Sequence, residues 1–243
     1  MKVLGVIPAR FDSSRFPGKP LIDLKGKTMI QRVYEGVLKS SKINKVIVAT
    51  DDQRIVKEVL RFGGLVEMTL PSHQSGTDRC AEIAEKYHDF DLIINIQGDE
   101  PLVNYQQLDD LILAFENTEI EIATLSCKNI SLEDIQNPNR IKIIEDKNHQ
   151  AIYFSRSAVP NYSNFKGNPT EFFPYLRHIG LYAYRREVLI QLTKLEPTLL
   201  EKIESLEQLR WLYHGFKIKL VETTIETPNI DVPEDVEKVL PYL

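Results

Sequence analysis

Residues 3–9, VLGVIPA, form a short apolar run that ends with Pro8 and Ala9 and is followed by Arg10. A run of this length, ending in a proline and a charge, is typical of a buried strand. Working outward, the same pattern predicts further strands at residues 46–49, 65–68 and 92–96. Apolar residues spaced three and four apart predict helices between them, over residues 29–38, 55–60, 77–87 and 108–115. Strands separated by helices indicate parallel pairing with right-handed crossovers.

The second half of the chain has a different pattern. Four stretches with little helix between them are typical of strands: residues 122–126, 141–145, 151–155 and 179–184. Helical spacing returns over residues 199–213, before a strand at 218–225 and a short helix at 234–240. Residues 160–174, rich in Asn, Ser, Gly and Pro, are predicted to form a mobile loop. We expect a three-layer α/β fold, with a mostly parallel central sheet and a smaller antiparallel lobe.

Length and composition restrict the class of protein. The chain has 243 residues, 42% of them hydrophobic, and no linker divides it, so we expect a single domain in which about residues 126–185 form the smaller lobe. A net charge of -5 argues against nucleic acid as a partner. The two cysteines are too few for a disulfide framework, and no stretch approaches the ~20 apolar residues of a membrane helix. These features predict a cytoplasmic protein without a membrane partner.

The loop after the first strand, residues 7–21 with the sequence IPARFDSSRFPGKPL, is the first candidate site. Ligands of open α/β sheets bind outside the carboxyl ends of the strands, and this loop carries Arg10, Arg15 and Lys19. Gly18 allows backbone amides to turn inward, so the loop is suited to a triphosphate. An ordinary solvated basic loop is the alternative. The glycine spacings of the Walker loop and of the dinucleotide fingerprint are both absent.

Carboxylates follow at two places in the chain. Asp99, in the sequence QGDEP, comes directly after an apolar strand, and Asp231 precedes the terminal helix. Carboxylates at the edge of the sheet that also holds the cationic loop are typical ligands of phosphate-bound Mg²⁺. A turn, or capping of the next helix by Asp99, is the structural alternative. Together with the cations, the two carboxylates suggest metal-assisted phosphoryl transfer.

Two further segments contain polar residues beside regular structure. Residues 73–79, HQSGTDR, precede a predicted helix, where unpaired backbone N–H groups are available to a base or a phosphate, although capping by Ser75 or Thr77 accounts for part of the pattern. His178 lies beside an apolar strand. A lone histidine is more often structural than catalytic, so its position alone assigns it no role.

Eight segments together carry a family pattern: residues 7–21, 48–52 (VATDD), 73–79, 94–101 (INIQGDEP), 153–157 (YFSRS), 176–184 (LRHIGLYAY), 206–210 (LEQLR) and 230–237 (IDVPEDVE). In sequence and in order they closely resemble the 3-deoxy-D-manno-octulosonate (Kdo) cytidylyltransferases. The resemblance implies a Rossmann-like nucleotidyltransferase fold. It also implies a cytoplasmic homodimer that forms CMP-Kdo and diphosphate from CTP and Kdo, with Mg²⁺, for lipopolysaccharide synthesis.

The family pattern also implies roles for individual residues. The catalytic residues would be Arg10, Lys19 and Asp99, with Mg²⁺ held by Asp99 and Asp231. The nucleotide would be bound by Ala9, Arg10, Ser14, Gly18, Lys19, Gln74, Ser75, Gly76 and Thr77. The sugar acid would be bound by Gln97, Arg156, His178, Tyr182, Glu207 and Gln208. Among these, Arg156 is the natural partner of a carboxylate.

The sequence departs from the family pattern near its carboxyl terminus, and other functions stay open. Val232 stands where many relatives have Thr, and Asn229 and Ile230 stand where Gly and Val are common, but Asp231 is intact. The nearest alternative is a CMP-sugar-acid synthetase for 8-amino-Kdo or a sialic-type acid, since fold fixes substrate only loosely. A non-catalytic nucleotide-binding protein is a second alternative, although a pure binder needs neither Lys19 nor two metal ligands. The missing glycine fingerprint argues against a dehydrogenase.

Overall fold

The computed structural model describes residues 1–12, 16–128, 130–228, 230 and 232–243. Its strands are β1 (Val3–Ala9), β2 (Asp23–Leu24), β3 (Lys27–Thr28), β4 (Lys45–Thr50), β5 (Val66–Met68), β6 (Leu92–Asn95), β7 (Ile122–Cys127), β8 (Lys142–Glu145), β9 (Ala151–Ser155), β10 (Leu176–Arg185) and β11 (Ile218–Glu222). Its α-helices are α1 (Met29–Val37), α2 (Gln53–Arg61), α3 (Gly76–Lys86), α4 (Tyr105–Ala114), α5 (Leu132–Gln136), α6 (Arg186–Leu192), α7 (Leu199–Glu204), α8 (Gln208–Tyr213) and α9 (Val236–Val239).

Within the described residues, nine strands form one sheet, and the path across it runs β11-β7-β10-β6-β1-β4-β5. β1 pairs in parallel with both β4 and β6, as βαβ units require. β10 is antiparallel to both of its neighbours, β6 and β7, and its first residues also pair with the β8–β9 hairpin. The predicted α/β class, mostly parallel with an antiparallel extension, is confirmed.

Two apolar cores, one on each face of the sheet, make the fold three-layered. On one face, strand residues pack with α3, α6 and α8, around Cys80, Leu189 and Trp211. On the other face they pack with α1, α2 and α4. Strand residues therefore alternate between the two cores: along β6, Ile93 belongs to the first core and Leu92 and Ile94 belong to the second.

The sequence pattern predicts one helix over residues 199–213, but the structure has two, α7 and α8. Ser205 has a φ of 51°, in the left-handed region, and it separates α7 from α8. The break turns the chain so that Leu206 and Leu209 enter the first core. The terminal helix over 234–240 is likewise reduced to α9 between two 3₁₀ turns. In the described part of the chain, no helix has the length and apolar content needed to cross a membrane.

Candidate active site

The first part of the site is the loop that follows β1, whose described residues 10–12 and 16–19 are called the cationic loop below. Gly18 has a φ of 73°, and its N–H donates to the carbonyl of Phe11 at 2.8 Å. A Cβ at Gly18 would lie 3.2 Å from Cζ of Phe11, so glycine meets both the conformational and the steric requirement. The loop therefore bends back on itself and leads Lys19 inward. Ala9 is buried at the end of β1, and Ser14 lies outside the described residues.

Lys19 connects the cationic loop to the turn after β6. The residue is only 9% exposed, and its Nζ donates to Oδ2 of Asp99 at 2.7 Å and to the carbonyl of Ile230 at 2.9 Å. The N–H of Ile230 donates in turn to the carbonyl of Asp99. Asp231, predicted as a second metal ligand, lies outside the described residues. The structure thus brings together Lys19 and Asp99 at the carboxyl ends of β1 and β6.

A close approach between two parallel strands fixes the position of Asp99. A Cβ at Gly98 would lie 2.8 Å from the carbonyl oxygen of Pro8, closer than side chains are found to such an atom. Gly98 is therefore required so that the turn after β6 can lie against the end of β1. This packing places Asp99 beside the base of the cationic loop.

The third part of the site is residues 73–77, which precede and begin α3 and are called the cap segment below. The hydroxyl of Ser75 accepts from the N–H of Asp78 at 3.1 Å, and the Asp78 carboxylate accepts from the N–H of Ser75 at 3.0 Å. This reciprocal capping box confirms that Ser75 caps the helix. Gly76 packs against Pro8 of β1, and Arg10 donates to the carbonyl of His73. The cap segment and the cationic loop are therefore in direct contact.

Glu207 joins the cap segment to α8. Its carboxylate accepts from the hydroxyls of Thr77 at 2.7 Å and Ser75 at 3.1 Å. Burial raises the pKa of Glu207, although the hydrogen bonds from the two hydroxyls oppose the rise. The sequence predicted Glu207 only as a sugar-acid residue. Its contact with predicted nucleotide-binding residues is a finding of the structure.

Aromatic side chains form a buried wall beside Glu207. The ring of Tyr182 lies 5.3 Å from that of His178 and 5.3 Å, edge to face, from that of Trp211. Nε2 of His178 is 3.1 Å from the hydroxyl of Thr124, and burial lowers the pKa of His178 to about 3. The imidazole is therefore neutral at physiological pH. Trp211 was not predicted, although its position three residues after Gln208 on a helix was a usable signal.

Two buried donors lie on α8, which also contributes Trp211 to this wall. Nε2 of Gln208 and Nε1 of Trp211 have no hydrogen-bond partner among the residues that the structure describes. Buried N–H groups are rarely left unpaired, so these atoms are suited to a polar ligand or to bound water.

The remaining predicted sugar-acid residues are held by backbone carbonyls. Gln97 donates to the carbonyl of Gly180 at 2.9 Å. The guanidinium of Arg156 donates to the carbonyls of Glu204 at 2.7 Å, Pro138 at 3.0 Å and Ser205 at 3.3 Å. Arg156 is thus connected to the corner between α7 and α8, two residues before Glu207. Gln74 is held by its own segment, where it donates to the carbonyl of Ser72.

A cavity of about 440 Å³ lies elsewhere in the molecule. Its walls include Met1, Asp91 and Arg185, at the amino ends of β1 and β6 and the carboxyl end of β10. The antiparallel direction of β10 places all three of these ends at the edge of the sheet opposite to Lys19 and Asp99. Arg185 is held there by the carbonyls of Phe115 and Ile120. This cavity therefore contains none of the chemistry described above.

Comparison with known proteins places the chain among nucleotidyltransferases. Residues 4–219 match the cytidylyltransferase family. The 3-deoxy-manno-octulosonate cytidylyltransferase of Fusobacterium nucleatum is 49% identical over 244 residues, which cover 100% of this chain and 97% of that protein. The enzyme of the same name from Cytophaga hutchinsonii is 49% identical, over 98% of this chain and 96% of its own.

Solved structures give the same result. A CMP:2-keto-3-deoxy-manno-octonic acid synthetase complexed with CTP superposes with a TM-score of 0.93 at 41% identity, covering 100% of this chain and 98% of that one. A 4-diphosphocytidyl-2C-methyl-D-erythritol synthase from Anaerococcus prevotii has a TM-score of 0.65 at 16% identity, which shows a shared fold.

Proposed function

The chain belongs to the cytidylyltransferase family, among the 3-deoxy-manno-octulosonate cytidylyltransferases, and we propose that it transfers CMP from CTP to Kdo with release of diphosphate. The observation that carries the proposal is the nearly buried ammonium of Lys19. It lies against Asp99 at the carboxyl ends of β1 and β6, where ligands of open α/β sheets bind.

The reaction needs mainly positioning and charge neutralisation. The anomeric hydroxyl of Kdo attacks the α-phosphorus in line with the departing diphosphate, so negative charge develops on the phosphate oxygens. In the described part of the cationic loop, Lys19 and Arg10 are the cations that can stabilise that charge. His178, neutral because burial lowers its pKa to about 3, is suited to hydrogen bonding rather than to charge stabilisation.

Asp99 is the described residue that fits a magnesium ion. Its carboxylate is partly exposed at the edge of the sheet, and hard oxygen donors of this kind suit Mg²⁺. A Mg²⁺ ion that also binds substrate phosphates is typically held by only one or two carboxylates of the protein. We propose that Asp99 and Asp231 hold Mg²⁺. When bound there, the ion supplies charge neutralisation and polarisation of phosphate oxygens.

The two substrates are assigned to two parts of the site, CTP to the cap segment and the cationic loop, and Kdo to the wall of aromatic side chains beside Glu207. We propose that Gln74, Ser75, Gly76 and Thr77 surround the cytidine, with Ala9, Ser14 and Gly18 completing the triphosphate site. Kdo would lie against Gln97, His178, Tyr182 and Gln208. Glu207 is bonded to Ser75 and Thr77. With this assignment of the substrates, it would lie where CTP and Kdo meet. Arg156 gives three of its five N–H donors to backbone carbonyls, so the other two would bind the carboxylate of Kdo.

The proposal extends to the assembly and its setting. We propose that the protein is a cytoplasmic homodimer and that about residues 126–185 contribute its interface. The CMP-Kdo that it forms would serve lipopolysaccharide synthesis.

Release of diphosphate tests the proposed function directly. Purified protein would be assayed with CTP and Mg²⁺ against Kdo, 8-amino-Kdo and N-acetylneuraminate, each with and without a chelator. We expect chelator-sensitive release with Kdo alone. Release only with another acid would contradict the assignment to Kdo, and no release with any of the three would contradict enzymatic activity.

A further inference from the structure

The segment VATDD, residues 48–52, has no role in the proposed reaction, although it ends at the same edge of the sheet as the active site. Its last two residues, Asp51 and Asp52, follow directly after β4. Their carboxylates contact two different partners. Arg79, the partner of Asp51, lies on the helix that begins in the cap segment, and Arg54, the partner of Asp52, contacts Phe11 of the cationic loop.

Asp51 pairs with Arg79, which is completely buried on α3. The other terminal nitrogen of Arg79 donates to the hydroxyl of Thr69 at 2.5 Å, and Thr69 is bonded through its N–H to the carbonyl of Thr50. A buried guanidinium is stable only with such partners, so Arg79 holds α3 against the ends of β4 and β5. Arg79 lies one helical turn after the cap residue Ser75. The position of the cap segment therefore depends on Asp51.

Asp52 holds a different arginine. It accepts from Nε and Nη2 of Arg54 at 2.9 and 2.6 Å, and it also caps α2 through the N–H of Arg54. The hydrogen bond from Arg54 lowers the pKa of the Asp52 carboxyl, which shows that this contact favours the carboxylate over the acid. The paired guanidinium lies over the ring of Phe11, 3.2 Å from its centroid.

Phe11 is the residue of the cationic loop that receives this contact. Its ring lies against Gly18, and its carbonyl accepts from the N–H of Gly18 at 2.8 Å. The next residue is Lys19, whose ammonium meets Asp99. Asp52 therefore supports, through Arg54 and Phe11, the bend that leads Lys19 into the site.

We propose that Asp51 and Asp52 are positioning residues that set where the cytidine and the triphosphate bind, Asp51 through Arg79 and the cap segment, and Asp52 through Arg54, Phe11 and the cationic loop. This inference rests on the proposed function, which assigns the cytidine to the cap segment and the triphosphate to the loop. Neither aspartate contacts a substrate in this scheme. Each acts through one arginine.

Paired isosteric variants test the inference. Calorimetry would measure the binding of CMP and of tripolyphosphate to the wild-type protein, Asp51→Asn and Asp52→Asn. Asp51→Asn is expected to weaken the binding of CMP by about fivefold or more and to change the binding of tripolyphosphate by less than about twofold. In Asp52→Asn the new side chain can still cap α2. This variant is expected to weaken the binding of tripolyphosphate by about two- to fivefold and to change the binding of CMP by less than about twofold.

Two further variants separate positioning from loss of folding. Arg54→Met removes a link of the second path, and Thr69→Val removes the other side-chain partner of Arg79. Each is expected to weaken the binding of the same probe as the aspartate variant that acts through the same arginine. Asp89→Asn, which removes an exposed pair with Lys2 at the opposite edge of the sheet, is the control and should bind both probes normally.

The outcomes are distinguishable from a failure of the proposed function. Suppose that the wild-type protein binds both probes. The inference would then be overturned if each variant bound both probes more weakly by the same factor, or if each bound both normally. A wild-type protein that binds neither probe would contradict the proposed function and the inference with it.

Discussion

Nζ of Lys19 lies 2.7 Å from Oδ2 of Asp99, across 80 residues of sequence. The pair exists because β1 and β6 are adjacent parallel strands whose carboxyl ends meet at one edge of the sheet. The same ammonium also donates to the carbonyl of Ile230. Three segments that are distant in sequence are therefore joined by one nearly buried cation.

Replacing Lys19 should affect catalysis more than folding. Lys19→Met is expected to lower kcat/KM for CTP by about 10²–10³, the cost of removing one preorganised donor to a developing anion. The thermal unfolding temperature should change by only a few degrees. Lys27→Met, which removes an exposed pair with Glu35, is the control and should keep wild-type kcat/KM. Wild-type kcat/KM in Lys19→Met would show that its charge is not used in the reaction.

Gly98→Ala should destabilise the protein because the new Cβ meets backbone. It would lie 2.8 Å from the carbonyl oxygen of Pro8, so β1 and the turn before Asp99 must separate. We expect a loss of about 1–3 kcal/mol in the free energy of unfolding, typical of overpacking. Urea unfolding would measure it.

The matched control is Gly180→Ala, in which a Cβ meets no atom within 4 Å. That variant should keep or slightly raise the free energy of unfolding, because alanine restricts the unfolded chain. Equal effects of the two substitutions would contradict the steric argument at Gly98.

Local pattern was sufficient to predict the strands of the parallel half and the edge of the sheet at which Lys19 and Asp99 meet. Strand alternation and strand–helix order are local properties, and the position of the site follows from parallel pairing. The eight family segments then indicated the reaction. The roles that they imply for single residues stay predictions, including those of Ser14 and Asp231, which lie outside the described residues.

Other features depend on contacts that local pattern does not contain. The position of β10 between β6 and β7 is set by packing across the whole sheet. The left-handed Ser205 breaks a pattern that is otherwise helical, and the short helices α5 and α6 have too few residues for a clear period. The bond between Thr77 and Glu207 spans 130 residues. Such a contact can be predicted only once the fold is known.

Glu207→Gln should impair the binding of both substrates. The carboxylate accepts from Ser75 and Thr77, whereas an amide oxygen and an NH₂ group cannot serve two donors equally. We expect KM for CTP and KM for Kdo to rise together, by about three- to tenfold. Steady-state kinetics with each substrate varied would measure both constants.

Thr77→Val, which removes one of the two donors, should raise KM for CTP in the same direction. A rise confined to KM for Kdo in Glu207→Gln would show that Glu207 serves only the sugar acid, and that its bonds to the cap segment have no part in nucleotide binding.

His178 should make the stability of the protein depend on pH in the weakly acidic range. Burial beside Phe154 and Tyr182 lowers its pKa to about 3, against an ordinary value of 6.5. Between these two values the unfolded chain binds a proton that the folded protein excludes, so the free energy of unfolding falls as the pH falls through 6.5. From pH 7.5 to pH 5 the loss from this residue should be about 2 kcal/mol.

The difference between wild type and His178→Gln isolates this effect, because groups that titrate in both proteins cancel. Urea unfolding at pH 5.0, 6.0, 6.5 and 7.5 should show that the wild-type protein loses stability more steeply than His178→Gln below pH 6.5. His88→Gln provides a measure of the loss of an exposed imidazole in the same range. Parallel curves for wild type and His178→Gln would mean that the folded protein accepts the proton as readily as the unfolded chain, and the wall beside Glu207 would then be open to water rather than buried.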